Sequence, residues 1–286
     1  MMRASTLNNF PQNLFSGEDA PTRSFFESLA RAYPRAIALH ETPGNLWELG
    51  ADGKHWGNVT EHCLMEAARA GVLAELLGFS QELQDALAEA AVAHDFYKKR
   101  EIELTRKDIA NGGSGRAGVL LNEREAAAAL HAAGFSDSQI SWIQSVSGDP
   151  ENTAAMKKIL DSETMDSNEL AQLVLHYIDN YTRGAAWVTP AESGESGLEN
   201  DIDRRNFSNA QNPDYQKMNE EGRKLNANHP FFDGMTRFEG AAAVNHEIEK
   251  VFSKIIAARG ISVRFPEQLP ELIDERIRAK IYSSAS

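Results

Sequence analysis

Apolar residues recur with a helical period of about 3.6 residues along the chain between Thr60 and Tyr181. This spacing places them on one face of each segment, which is the pattern of helices that pack against one another rather than of strands. We predict helices at about 60–77, 81–99, 122–133, 137–146, 151–162 and 167–182. The sequence therefore predicts an all-α fold with a helical bundle at its centre.

Helix-end signals agree with this periodicity. Ser136 and Gln139 have the spacing of a capping box, in which each side chain bonds to the backbone of the other residue, and so do Asp166 and Glu169. Gly134 lies just after a predicted helix, where glycine commonly ends one. These local signals therefore support the predicted helix boundaries.

The two ends of the chain differ from this central part. Residues 1–57 are mixed in composition, with a helix predicted over Thr22–Tyr33. Residues 190–238 are polar and rich in asparagine, which is typical of an arm, a lid or a linker, and helical patterns return at about 240–258 and 267–281. We divide the chain into an N-terminal extension (1–57), a helical domain with the candidate site (58–189), a polar arm or lid (190–239) and C-terminal helices that pack on the same domain (240–286).

Composition narrows the classes of partner. The 29 Lys and Arg residues against 42 Asp and Glu residues give a net charge of −13, which repels nucleic-acid backbones and anionic membranes. Small phosphorylated ligands remain open, because a bound cation can reverse the field inside a pocket. The single cysteine, Cys63, and the lack of a long apolar stretch predict a cytoplasmic protein without disulfides or membrane spans.

Ionisable side chains interrupt three of the predicted apolar helices. His94 and Asp95 end a run of small apolar residues, and Asp179 lies among the apolar residues of a later helix. A buried carboxylate without a partner costs a large desolvation energy, so each acid needs a cation or hydrogen-bond donors. His62 adds an imidazole, and imidazole with carboxylates suits a divalent metal ion. Taken alone, each residue is better explained by a structural role: His62 as a satisfied core histidine, His94 and Asp95 as a hydrogen-bonded pair at a helix end, and Asp179 as a helix cap or salt-bridge partner. Taken together, they favour a metal site.

The order of these residues resembles the H…HD…D signature of the HD superfamily. His94 follows His62 by 32 residues, and Asp179 follows Asp95 by 84 residues. The resemblance covers roughly residues 58–182 and depends on the texts TEHCLMEAA, AVAHDFYKK and LVLHYIDNYT. It implies an HD-type helical bundle whose metal ligands are His62, His94, Asp95 and Asp179.

The resemblance also implies an activity. HD proteins bind Mg, Mn, Fe, Co, Ni or Zn ions and mostly cleave phosphoester bonds of nucleotides and related molecules. On this basis we expect one divalent metal ion to activate a water that Asp95 holds. Lys98 completes an HDxxK text that is similar to that of several HD phosphohydrolases, so we expect its ammonium to contact a phosphate oxygen. The alternative is that Lys98 and its neighbour Lys99 form a solvated helix end.

The sequence departs from binuclear members of the superfamily at two points. Asn122 stands where their first additional histidine is expected, and no histidine lies in Val146–Asp149, where the second is expected. The sequence therefore favours a single metal ion and argues against the di-iron oxygenases of the superfamily. His131 and His176 also lie in this region, and we expect them to be core or surface residues.

Three arginines are candidates for substrate binding, because a planar guanidinium can make two hydrogen bonds to a phosphate: Arg183, Arg204 and Arg205. For Arg204 and Arg205, an ordinary surface position is the alternative. The sequence thus predicts a metal-dependent hydrolase of a small phosphorylated metabolite or nucleotide. The alternative function is a catalytically idle HD module that binds a nucleotide for regulation, and the sequence leaves the oligomeric state open.

Overall fold

The computed structural model describes residues 14–40, 59–147, 149–182, 184–188, 203, 207, 211, 215–227, 229–263 and 265–283. Secondary structure within these residues is helical, which confirms the predicted all-α class. The helices are α1 (Ala20–Ala32), α2 (Pro34–His40), α3 (Val59–Leu77), α4 (Gln81–Ala93), α5 (Lys98–Ala110), α6 (Arg116–Ala132), α7 (Asp137–Ser145), α8 (Pro150–Leu160), α9 (Ser167–Tyr181), α10 (Gln216–Asn226), α11 (Arg237–Ala258) and α12 (Leu269–Ser283). None of the described helices combines the length and apolar character needed to cross a membrane.

Helix α3 is the centre of the bundle. Almost all of its residues are buried, because α1, α4, α9, α11 and α12 pack around it. The apolar side chains of these helices belong to one hydrophobic core. Polar side chains on the buried faces of such a helix cannot turn to water. His62, Glu66 and Arg69 of α3 must therefore find partners inside the protein.

The predicted ends of two helices are confirmed. Ser136 and Gln139 form a capping box at the start of α7, and Asp166 and Glu169 form another at the start of α9. Each box satisfies backbone N–H groups that the first turn of a helix leaves without partners. Because α9 begins where the sequence predicts, local chemistry sets the start of the helix that carries Asp179.

The prediction of a single helix over 81–99 is wrong. Helix α4 ends at Ala93, residues 94–97 form a turn, and α5 begins at Lys98. The ring Nδ1 of His94 donates to the Ala91 carbonyl at 2.8 Å, so a side chain competes with the backbone for this acceptor. As a result Asp95 lies in a turn between two helices rather than inside one.

The prediction of an irregular polar arm over residues 190–239 is wrong at α10, which forms a helix within this stretch. Its sequence has few aliphatic residues and a central glycine, both of which weigh against a helix. Gly222 permits close packing on the start of α11, since a Cβ there would lie 2.8 Å from the backbone nitrogen of Arg237. Tertiary packing therefore outweighs the weak local helix signal. Helices α2 and α5 were also not predicted.

Candidate metal centre

His62 lies in the first turn of α3 and is held by a backbone carbonyl. Its Nδ1 donates to the carbonyl of Gly184 at 3.1 Å, which leaves Nε2 as the atom that faces the site. Nε2 lies 2.9 Å from Glu66 Oε1, 3.7 Å from Asp179 Oδ1 and 4.0 Å from Asp95 Oδ2. One nitrogen of His62 therefore meets three carboxylates.

His94 follows the last residue of α4, and its side chain is fully buried. Its Nδ1 donates to the Ala91 carbonyl and lies 3.3 Å from Glu66 Oε2. Its Nε2 lies 3.7 Å from Asp95 Oδ2 and 3.9 Å from Asp179 Oδ1, yet it has no hydrogen-bond partner. A buried ring nitrogen with its other nitrogen fixed by a carbonyl is the usual state of a histidine prepared to bind a metal.

Asp95 and Asp179 form the side of the cluster that solvent reaches. Both carboxylates are 16% exposed, whereas the side chains of His94 and Glu66 are fully buried. Asp95 comes from the turn between α4 and α5, and Asp179 comes from the last turns of α9. A ligand that arrives from solvent would therefore meet these two carboxylates first.

The distances in the cluster are compatible with a shared ion. The two imidazole Nε2 atoms lie 3.7 to 4.0 Å from the carboxylate oxygens of Asp95 and Asp179. In a tetrahedral site with bonds of about 2.1 Å, neighbouring ligand atoms lie roughly 3.4 Å apart. Small inward movements of the side chains would bring the four atoms to this spacing. The structure thus brings together the four predicted ligand residues, His62, His94, Asp95 and Asp179.

Glu66 belongs to the same cluster and was not singled out from the sequence. It lies one turn after His62 on α3, is fully buried, and neither of its oxygens has a hydrogen-bond partner. His62, Glu66, His94 and Asp179 each offer a ligand atom within 4.8 Å of the others, so this group could hold a metal ion. The sequence signal that could have identified Glu66 is its position four residues after His62 in an otherwise apolar stretch.

Negative charge dominates the cluster. Burial lowers the pKa of His62, but the carboxylate of Glu66, helped by that of Asp179, outweighs burial and raises this pKa to about 10. Burial also lowers the pKa of His94, but the carboxylate of Glu66 is the main group that outweighs burial, and this pKa is raised well above its ordinary value. Because both histidines attract a proton so strongly, the carboxylates of the cluster favour positive charge at this position.

No family model matches the chain, and neither a curated protein nor a solved structure is significantly similar to it. The membership of the HD superfamily therefore stays a prediction from the motif. The described part of the structure independently provides an all-α fold and a buried group of histidine and carboxylate side chains that could hold a metal ion.

Lys98 contacts this cluster from the first position of α5. Its Nζ lies 3.4 Å from Asp95 Oδ1 and 3.3 Å from Glu101 Oε1, and its side chain is 19% exposed. Burial lowers the pKa of Lys98, but Asp95 and Glu101 outweigh it and raise this pKa, so the ammonium stays charged. Lys99, in contrast, is exposed. The alternative of a solvated helix end therefore applies to Lys99 but not to Lys98.

Other candidates lie away from the convergent group. His131 is exposed, and His176 is fully buried, with its Nδ1 donating to the Ser145 carbonyl at 2.6 Å. Burial lowers the pKa of His176, so its ring stays neutral. Asn122 is buried, and its Oδ1 has no hydrogen-bond partner. The three arginines predicted to bind substrate lie outside the described residues: Arg183, Arg204 and Arg205.

Proposed function

We propose that this chain is an HD-type, metal-dependent phosphohydrolase that cleaves a phosphoester bond in a small phosphorylated metabolite or nucleotide. The observation that carries the proposal is the convergence of His62, His94, Asp95 and Asp179 from three distant segments of the chain. Two imidazoles with carboxylates are a donor set that suits the divalent ions used in hydrolysis.

The charges of the cluster favour one divalent ion. When both histidines are neutral, the three carboxylates of Glu66, Asp95 and Asp179 face one ammonium, that of Lys98, which also pairs with Glu101, so at least two negative charges stay uncompensated. In this proposal His62 and His94 would hold the ion through Nε2, and Asp95 and Asp179 would each hold it through a carboxylate oxygen. Glu66 Oε2 faces Nδ1 of His94, so it would orient that ring, while its Oε1 faces Nε2 of His62 and adds negative charge that strengthens cation binding.

A divalent ion bound here would supply an activated water and polarise a phosphoryl oxygen of the substrate. Asp95 is the residue that orients this water, because its Oδ2 faces the histidines while Lys98 fixes its Oδ1. The Lys98 ammonium, held at the same carboxylate, stabilises negative charge that develops on the phosphoryl oxygens in the transition state. Substrate approaches from the side of Asp95 and Asp179, the carboxylates that solvent reaches.

A screen for phosphate release tests this proposal. Metal-stripped protein is assayed against nucleotides, dinucleoside polyphosphates and sugar phosphates, with each divalent ion restored in turn. We expect activity that depends on the restored ion and is abolished in Asp95→Asn, while the exposed control Asp137→Asn keeps it. If the protein binds a nucleotide but hydrolyses no substrate with any of the ions, hydrolysis is refuted and the regulatory HD module becomes the favoured function.

A further inference from the structure

A fully buried ion pair joins the central helix α3 to the C-terminal helix α12. Arg69 Nε donates to Asp274 Oδ1 at 2.9 Å, and Arg69 Nη2 donates to Asp274 Oδ2 at 2.8 Å. Solvent reaches neither side chain. Charges buried this deeply are tolerated only when good geometry and further hydrogen bonds offset their desolvation. The further hydrogen bonds of this pair therefore show what it fixes in place.

These hydrogen bonds go to the described residues of the 182–188 segment, Thr182 and residues 184–188, which follow α9. Arg69 Nη1 donates to Thr182 Oγ1 at 2.9 Å, and Arg69 Nη2 donates to the Ala186 carbonyl at 2.8 Å. The backbone N–H of Val188 donates to Asp274 Oδ2 at 2.7 Å. One buried ion pair thus makes hydrogen bonds to three of the described residues of this segment.

Gly184 lies between two of these points, and its carbonyl accepts from His62 Nδ1 at 3.1 Å. The φ of Gly184 is 58°, a left-handed conformation that glycine adopts without strain. A fixed carbonyl at Nδ1 keeps the proton of a neutral imidazole on that nitrogen and leaves the Nε2 lone pair for a metal. The segment between Thr182 and Val188 therefore connects the buried ion pair to a candidate metal ligand.

We infer that Arg69 and Asp274 are positioning residues of the metal centre, which hold residues 182–188 so that the Gly184 carbonyl fixes the ring of His62. This inference rests on the proposed metal site. It makes α12 part of the support of a site whose ligands lie on other helices, since Asp274 is 205 residues beyond Arg69. Loss of the hydrogen-bond partner of a metal-binding histidine typically weakens metal binding about 10- to 100-fold.

The direct test replaces both charges, Arg69→Met together with Asp274→Leu. Exchange of a buried ion pair for apolar side chains of similar volume often leaves stability unchanged, so we expect this variant to fold. We expect its dissociation constant for Zn²⁺, measured by chelator competition on metal-stripped protein, to rise about 10- to 100-fold. The matched control, Arg35→Met with Glu89→Leu, removes an ion pair between α2 and α4 and should bind Zn²⁺ normally. An unchanged constant in the Arg69 and Asp274 variant overturns the inference.

A milder pair of variants decides the question if the double variant does not fold. Thr182→Val removes the hydroxyl that accepts from Arg69 and donates to the Ile178 carbonyl, whereas Thr182→Ser keeps it. We expect the valine variant to bind Zn²⁺ about 2- to 10-fold more weakly than the serine variant, which is the range for one hydrogen bond. Equal dissociation constants in these two variants overturn the inference.

His62→Ala separates this inference from the proposed function. If His62→Ala keeps full Zn²⁺ binding, the metal site itself is wrong. If His62→Ala loses Zn²⁺ while the Arg69 and Asp274 variant binds it normally, the metal site stands and only the positioning role is refuted.

Discussion

Helix α3 carries two buried polar groups that find partners in opposite ways. Arg69 meets its counter-charge in Asp274, and both residues make further hydrogen bonds to the 182–188 segment. About one turn earlier, neither oxygen of Glu66 has a hydrogen-bond partner, and the carboxylate contacts two candidate metal ligands, His62 at 2.9 Å and His94 at 3.3 Å. A buried charge with a permanent counter-charge inside the chain supports the fold, whereas one that faces titratable imidazoles indicates a place where a cation can bind.

We expect the largest effect when the ion pair of Arg69 and Asp274 is broken. Asp274→Ala leaves the Arg69 guanidinium buried without its counter-charge, which should lower the free energy of unfolding by about 3–5 kcal/mol. Denaturant unfolding of the metal-free protein measures this loss. The neighbouring Glu275 is exposed, so Glu275→Ala should change stability by no more than about 0.5 kcal/mol. Similar losses in the two variants would show that the ion pair does not support the fold.

Lys98→Ala should give the next largest effect, and it acts on activity rather than on folding. Loss of a charged contact to the transition state typically lowers kcat about 10²- to 10³-fold, while metal content and stability should be retained. Steady-state kinetics on the best substrate of the phosphate screen measure this change. Lys99→Ala is the matched control, because Lys99 is exposed, and its kcat should equal that of the wild type. Unaltered kcat in Lys98→Ala would show that Lys98 does not stabilise the transition state.

The candidate ligands could be predicted from the sequence, because each signal is local. Ionisable residues in apolar helices identify His94, Asp95 and Asp179, and the resemblance adds His62 through the order of the motif. Helical periodicity and capping boxes give the fold class and several helix boundaries. Such signals need only the residues within a few turns of one another.

The supporting interactions could not be predicted, because they depend on tertiary contacts. Nothing in the sequence pairs Arg69 with Asp274, which lies on the last helix. The break after Ala93 has no glycine or proline to mark it and follows from a hydrogen bond of the His94 ring. Glu66 resembles an ordinary helical glutamate until the packing around α3 shows that it is buried.

Glu66→Gln tests the role of the buried carboxylate that contacts both imidazoles. Removal of this charge next to both imidazoles should weaken divalent-metal binding about 10- to 100-fold, the range for loss of an outer partner of a metal ligand. It should also lower the pKa of His62 in the metal-free protein, because Glu66 is the main cause of its increase. Chelator competition and an NMR titration of the imidazole measure the two effects. Glu75→Gln, on the exposed side of α3, should change neither, and equal behaviour of the two variants would remove Glu66 from the site.

The smallest expected effect, expressed per pH unit, is the pH dependence of metal binding. The folded-state pKa of His62 is raised to about 10. Protonation of His62 therefore stabilises the metal-free fold fully below about pH 6.5, and this contribution is lost as the pH rises through about 10. A metal ion must displace this proton, so its affinity should increase with pH across the same interval, by up to about tenfold per pH unit for each proton released.

Calorimetry in buffers of different ionisation enthalpy counts the protons released on metal binding. His246, whose pKa is also raised to about 10 by Asp203 and Glu249, is not a member of the convergent group, so His246→Ala should keep the pH dependence of metal affinity. Metal affinity that does not change between about pH 6.5 and 9 would contradict the interpretation of His62 as a ligand that must lose a proton.

The central claim is that His62, His94, Asp95 and Asp179 hold a divalent metal ion, and elemental analysis of the purified protein tests it most directly. We predict about one divalent ion per chain in the wild type, since four ligands suit one ion. His94→Ala combined with Asp95→Ala should lose this metal while its circular dichroism spectrum stays helical, and the exposed control His131→Ala should keep it. Stoichiometric metal that survives in the double variant, or a wild type that binds none, would contradict this metal site.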